Sequence, residues 1–240
     1  FCLSRGLGDV YKRQVVSRPQ WDAAREALLV REKAMTRAQD ALARDRLDLP
    51  WVRVDKPYRF QGASGPLGLA ALFGGKRQLI LYHFMYGPDW EEGCVGCSFL
   101  ADHLDSALMH LRHHDVSVVA VSRAPLAKLD AFKRRMGWRF DWFSSEGCDF
   151  NFDFQASVPQ ADGSVEERSG ASAFFLDPDG EIFHTYSAFE RGVERLAGAY
   201  NYLDFAPLGR NETGPHFNLG DWVRHHDRYD DAPKACHACA

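Results

Sequence analysis

Cys94-Val95-Gly96-Cys97 is where residue type, spacing and setting together point to chemistry. An apolar run, Gln78-Leu-Ile-Leu-Tyr-His-Phe84, precedes it and reads as a buried strand. The segment from Ser98 to Asp115 follows and reads as an amphipathic helix, with Leu100, Leu104, Ala107, Leu108 and Leu111 on one face. Strand, Cys-x-x-Cys, helix is a setting in which two thiols form a redox pair. The first thiol meets helix N-terminal amides that favour a thiolate, and the second lies one turn on.

Other side chains are candidates by position. Arg123 follows the next strand-like run, Val116–Val121, and from that strand end it would favour the Cys94 thiolate. Asp89, Glu91 and Glu92 would act the other way. Trp90 would form an apolar wall beside the site. His184 and Tyr186, on one face of a strand, would edge a pocket. The plainer readings are an ion pair for Arg123 and packing for the other three. His83 reads as a satisfied core histidine, and His110 and His114 as residues of a solvated helix face despite their metal-ligand spacing. Cys148 reads as an unreactive thiol or a third redox partner. Cys236-His-Ala-Cys239 is a second Cys-x-x-Cys on a stretch without periodicity. It either has no separate function, exchanges with Cys94–Cys97, or shares a zinc ion with it.

The elements that must position these groups alternate. Ser17 to Gln20 has the form of a capping box, and a long helical pattern runs from there to Leu49-Pro50. Trp21, Leu28, Met35 and Leu42 recur every seven residues and mark a narrow apolar stripe. Such a helix packs on a second copy of the chain or folds back on its own domain. Short strands are expected over Trp51–Phe60, a short helix over Leu69–Phe73 and a helix from Pro125 to Met136, stopped by Gly137. Trp138–Ser144 and the alternating Phe150, Phe152 and Phe154 read as strands. Pro159–Gly170 reads as a loop. Ala173–Tyr186 reads as a hairpin turning at Asp177-Pro-Asp-Gly180, and Val193–Leu203 as a helix. From Gln78 onward this order predicts an α/β sandwich with parallel core strands and an antiparallel hairpin edge.

Bulk properties narrow the class. The chain is 45% hydrophobic and 26% charged with a net charge of −4, which suits a domain with a sizeable core and no nucleic-acid partner. No apolar run reaches the ~20 residues of a membrane span. Six cysteines are too few for a disulfide scaffold in a chain of this length, so a reducing, cytoplasmic setting is expected. Residues 1–14, Cys2 among them, read as the translation of a sequencing adapter. The true start is lost with them, and export stays open. The expected organisation is a helical extension at 15–50, a main domain at 51–210 and an irregular tail at 211–240.

Six motifs carry a family resemblance. They are Leu49-Pro-Trp-Val-Arg-Val54, Leu81-Tyr-His-Phe-Met-Tyr-Gly-Pro-Asp-Trp-Glu-Glu-Gly-Cys94 with Cys97, Val121-Ser-Arg-Ala-Pro125, Gly137-Trp-Arg-Phe140, Asp149-Phe-Asn-Phe-Asp-Phe154 and Phe183-His-Thr-Tyr186. From about Val15 to Tyr229 the chain resembles the bacterial family called domain of unknown function 899, which looks like a branch of the thioredoxin fold. The resemblance implies a thioredoxin-like sandwich. Two departures from thioredoxins stand out. Gly93 and Val95-Gly96 replace their Trp and Gly-Pro, and no proline stands before Ala173-Phe-Phe, where thioredoxins place a cis-proline.

Three functions fit. In the first, Cys94 attacks a disulfide and Cys97 resolves the mixed disulfide, so the substrate is a thiol or disulfide and the electron donor is of thioredoxin type. No cofactor beyond the dithiol is needed. The second is a peroxiredoxin-like peroxidase in which Cys97 condenses with a Cys94 sulfenic acid. Its usual Pro-x-x-x-Thr/Ser-x-x-Cys pattern is unmatched, since Pro88 stands six residues before Cys94. The third is a non-enzymatic domain that holds a thiophilic metal.

Overall fold

The computed structural model describes residues 14–229 and divides into two compact units after Pro50. The first unit is one helix, α1 (Arg18–Leu47). The expected capping box opens it: Gln20 Oε1 accepts from the Ser17 backbone N–H at 3.0 Å and from Ser17 Oγ at 2.8 Å. Its 30 residues span about 45 Å. None is buried, and the stripe of Trp21, Leu28, Met35 and Leu42 is exposed.

The second unit opens with β1 (Val52–Arg53), β2 (Arg59–Gly62) and β3 (Gly65–Gly68). A 3-10 turn, Leu69–Phe73, ends where Gly74 turns left-handed. Then come β4 (Gln78–His83), α2 (Val95–His113), β5 (Val116–Ser122), α3 (Leu126–Arg135), β6 (Asp141–Ser144) and α4 (Phe150–Asp153). The small hairpin β7 (Ser157–Pro159) and β8 (Val165–Glu167) precedes the main one, β9 (Gly170–Leu176) and β10 (Ile182–Phe189), and α5 (Gly198–Phe205) follows.

The large sheet runs β1-β10-β9-β4-β5-β6-β2-β3. Strands β4, β5 and β6 are parallel, and β9 and β10 return antiparallel on the far side of β4. A parallel β-α-β unit joined through its first strand to an antiparallel hairpin is the thioredoxin arrangement, so the fold is a thioredoxin-like α/β sandwich. The hairpin lies beside the edge rather than at it, because β1 pairs with β10 through Val52 and His184.

The two sheet faces bury two cores. Tyr82, Val118 and Ala120 face α2 and α3, packing with Leu100, Leu104, Leu129 and Phe132. Leu79, Leu81, Val119 and Val121 face the other way, toward Phe73, Phe150 and Phe174. Consecutive residues of β4 and β5 thus alternate between cores, which is why both strands read as unbroken apolar runs. Among the described residues no helix is long and apolar enough to cross a membrane.

Three expectations are corrected. Phe150–Asp153 is a helical turn, not a strand. Residues four apart share a side in either conformation, so the Phe150 and Phe154 rings pack with centroids 4.5 Å apart, while Phe152 diverges to lie under the Arg123 guanidinium. The expected loop 159–170 contains β8, turned at Gly163 with positive φ. The helix candidate Val193–Leu203 is a 3-10 segment, Glu190–Leu196, followed by α5.

Candidate active site

Helix α2 starts at Val95, three residues before the sequence suggested, so Cys94 is its N-cap. That places both thiols on the first turn. The Cys97 N–H points at Cys94 Sγ at 3.4 Å, and the Met85 N–H points at Cys97 Sγ at 3.4 Å. Cys94 is pinned from behind: its N–H donates to Met85 O at 3.0 Å, and its carbonyl accepts from Ser98 N–H and Ser98 Oγ, each at 2.9 Å. Both thiols are free, Cys97 fully buried and Cys94 partly exposed.

This geometry drives the two thiols apart in acidity. A hydrogen bond from the Cys97 thiol, with the N–H groups of Cys97 and Gly96, pulls Cys94 down to about 7 against the opposing effect of burial. Burial, then the neighbouring Cys94 charge, pushes Cys97 well above the usual thiol value. Near neutral pH Cys94 is therefore the available thiolate and Cys97 the protonated partner.

Ser169 and Tyr82 complete the inner wall. Tyr82 comes from β4 on the thiol face, and its hydroxyl lies 2.9 Å from Ser169 Oγ. Both hydroxyls favour the Cys97 thiolate. Ser169 directly precedes β9, and no cis peptide occurs among the described residues.

The thiols open into a cavity of about 630 Å³. Phe99, Leu100 and Val193 make its apolar side, Glu190, Glu194 and Glu212 bring carboxylates, and Phe217 and Leu219 add a further apolar wall. The last two belong to the segment expected to be an irregular tail. Residues 211–229 instead pack onto the start of α2: Val223 is buried with Phe99 and Tyr200, and His225 Nε2 lies 2.9 Å from Gly93 O. Arg135 holds Asp227 at 2.7 Å, and Arg228 pairs with Glu92. Two glycines of the motif follow from this packing. A Cβ on Gly93 would lie 2.7 Å from the Phe84 ring, and one on Gly96 would lie 3.0 Å from Leu219. Nothing larger fits at either glycine without displacing a neighbour.

Several sequence candidates lie elsewhere. Arg123 does not approach Cys94; its guanidinium is 2.6 Å from the buried Glu167 carboxylate, which also accepts from Ser157 Oγ at 2.6 Å. The carboxylate that takes up its charge belongs to β8. Trp90 is no wall of the thiol cavity. It folds against Gly87, partly exposed, with its carbonyl held by Lys128 at 3.1 Å. His184 edges a different cavity, and Tyr186 does not share its face. A β-bulge intervenes: His184 pairs with Phe174 and Tyr186 with Ala173, adjacent residues on opposite faces of β9. Cys148 packs on the core away from the thiols. His83 is buried as expected but not satisfied: its Nε2 lies 2.8 Å from Ser172 Oγ, while its Nδ1 has no hydrogen-bond partner among the described residues. Cys2, Cys236 and Cys239 lie outside the described residues. Among the described residues no three His, Cys, Asp or Glu side chains gather to hold a metal.

Ser169 and the 211–229 segment are the parts that sequence reading missed. The one signal for Ser169 was the strand start that it precedes; the segment had no periodic signal at all.

Solved structures of similar architecture include the peroxidoxin BcpB of Mycobacterium tuberculosis, at 14% identity over 65% of this chain and 97% of that one, with a TM-score of 0.46. A cysteine variant of PrxQ from Xylella fastidiosa aligns at 15% identity over 60% and 89%, with a TM-score of 0.44. Peroxiredoxin Q of Xanthomonas campestris aligns at 16% over 63% and 94%, with a TM-score of 0.45. At these scores the likeness adds nothing to the fold read from the sheet order. No curated protein sequence matches the chain. Over residues 10–229 it matches the model of a family described as bacterial protein of unknown function, DUF899, and the chain belongs to that family.

Proposed function

We propose that the protein is a thiol-disulfide oxidoreductase whose working group is the Cys94–Cys97 pair. The observation that carries this reading is the split between the two thiols: a partly exposed Cys94 at the N-cap of α2, with its thiol lowered to about 7, beside a buried, protonated Cys97. In the first step the Cys94 thiolate attacks one sulfur of a substrate disulfide. A Cys94–substrate disulfide forms, the substrate S–S bond breaks, and the second substrate sulfur leaves as a thiolate.

That step removes the negative charge from Cys94, and with it a cause of the high Cys97 value. The Cys97 proton passes to the departing thiolate, and the Met85 N–H at 3.4 Å supports the new Cys97 thiolate. Cys97 then attacks Cys94 Sγ, closes the internal disulfide and expels the remaining substrate thiolate. Two electrons have moved to the substrate, and a dithiol donor of thioredoxin type returns them. The reading calls on no prosthetic group.

The test is a redox titration with differential alkylation, read separately for each cysteine. Joint, reversible conversion of Cys94 and Cys97 within about −120 to −270 mV is the expected result. Two thiols that stay unmodified across that range end the proposal. Rapid oxidation of the reduced pair by hydrogen peroxide, with no reaction toward disulfides, replaces it with the peroxidase reading.

A further inference from the structure

The cavity over the thiols carries an excess of one charge. Three carboxylates line it, Glu190, Glu194 and Glu212, against one cation, Arg191. Two further charged groups act on them from outside. Arg210 lies 3.4 Å from Glu194 and pairs more closely with Asp204, at 2.7 Å. With those two included, four carboxylates (Glu190, Glu194, Glu212, Asp204) face two guanidiniums, so the balance stays two negative.

The three lining carboxylates are not equivalent. Glu194 takes both cations: Arg191 donates to it through Nε at 3.0 Å and Nη2 at 3.3 Å, and Arg210 through Nη1 at 3.4 Å. Glu212 has a neutral partner. The Tyr200 hydroxyl donates to its Oε1 at 2.7 Å, and burial followed by Glu212 itself keeps that phenol protonated. The Glu212 charge is thus uncompensated. Glu190 has no ion pair and no side-chain hydrogen bond among the described residues. Its backbone is nonetheless fixed, with the N–H donating to Ser169 O at 2.8 Å and a left-handed φ of 52. That conformation costs a non-glycine residue energy and concentrates at functional sites.

These carboxylates act on what enters the cavity and leave the nucleophile alone. The acidity of Cys94 is set by Cys97 and the helix amides, with no carboxylate among its causes. A disulfide that ends in carboxylates meets Glu190 and Glu212 as like charges. One that ends in cations meets them as partners, and its aliphatic stem has Phe99, Leu100 and Val193 to lie against.

We propose that the thiol cavity selects small disulfides that carry a cationic group close to the sulfur, the cation toward Glu190 and Glu212. This rests on the thiol-disulfide reading and names its substrate class. Cystamine is a simple member: attack by Cys94 and closure by Cys97 convert one cystamine and the dithiol into two cysteamine molecules and the internal disulfide. The probes are cystamine, bis(2-hydroxyethyl) disulfide and 3,3′-dithiodipropionate, which share a two-carbon stem and differ in charge. The reduced full chain is mixed with each at neutral pH and low ionic strength, and oxidation of Cys94 and Cys97 is timed by quenched alkylation. Each rate is divided by that of free 2-mercaptoethanol with the same disulfide, which removes differences in intrinsic reactivity. Cystamine is expected about tenfold above the neutral disulfide and dithiodipropionate about tenfold below it. Added salt draws the three together. Glu190→Gln, made on an exposed side chain, lowers the ratio of cystamine to neutral disulfide about threefold. Should that variant misfold, the three-probe series on the native chain decides alone. Equal normalised rates, a fastest reaction with dithiodipropionate, or a ratio unchanged in Glu190→Gln each overturn the selection while the oxidoreductase reading stands. A cysteine pair that none of the three disulfides oxidises overturns both.

Discussion

Tyr82 and His83 are consecutive residues of one strand, and the regions they face are built in two different ways. On the Tyr82 side, function is concentrated in one turn of helix, where four residues supply both sulfurs and the amides that tune Cys94. On the His83 side, the polar groups around the cavity that His184 edges are gathered from β1, the loop after it, α4 and β10, far apart in the chain. The first region is local and the second is assembled. Both depend on the same strand alternation, since a one-residue slip of β4 would exchange the phenol and the imidazole between the two cores.

The largest break between the two regions is chemical. Cys94→Ser is expected to abolish disulfide turnover, while Cys97→Ser still attacks and accumulates mixed disulfide, visible as a mass increase on Cys94. Equal, small effects of both substitutions would sink the local site.

Next comes Arg123→Ala. Glu167 is buried, so removing its cation leaves an uncompensated carboxylate and costs about 3–5 kcal/mol in urea unfolding. The alkylation profile of Cys94, with its midpoint near pH 7, stays in place. A midpoint displaced upward would return Arg123 to the thiol site.

What the sequence made legible follows the same division. The strand, the cysteine pair and the helix lie within neighbouring residues, so periodicity and spacing identified them. Gly74 and Gly137 marked two stops correctly, because a left-handed terminus leaves a residue-type signature. Arg123 and Trp90 were misplaced because closeness along the chain to a strand end or to Cys94 does not say which way a side chain points. A single bulge after His184 reversed the face of Tyr186. The wall made by Phe217 and Leu219 gave no signal, since a segment of short 3-10 turns has no repeat to detect.

His83 sharpens the assembled side through pH. Burial lowers its imidazole from 6.5 to about 3, so the folded state binds fewer protons than the unfolded chain between those values. Stability therefore falls as pH drops below 6.5, by about 2 kcal/mol between pH 7 and pH 5 from this residue. His83→Gln keeps a hydrogen-bonding group beside Ser172 without a titrating one. Its urea stability is expected to change less over that interval than that of the unsubstituted protein. Parallel curves would show that His83 is not buried in neutral form.

The smallest expected effect separates the two thiols from each other. Tyr82 OH pairs with Ser169 and favours the thiolate of Cys97, not that of Cys94, and burial holds its phenol well above the usual value, so it stays protonated. Its hydroxyl therefore acts on the second step only. Removing the hydroxyl in Tyr82→Phe takes away about 1 kcal/mol of that support, so release of the mixed disulfide slows about fivefold in single turnover. The first step, read as the alkylation rate of Cys94 across pH, stays within about twofold because its own support comes from the α2 amides and the Cys97 thiol. The paired control is His83→Gln, one residue along the strand and on the other face, which leaves both steps alone. If Tyr82→Phe slowed the two steps equally, the phenol would be supporting the cavity as a whole and not the resolving sulfur, and the contrast between neighbouring residues would lose its chemical content.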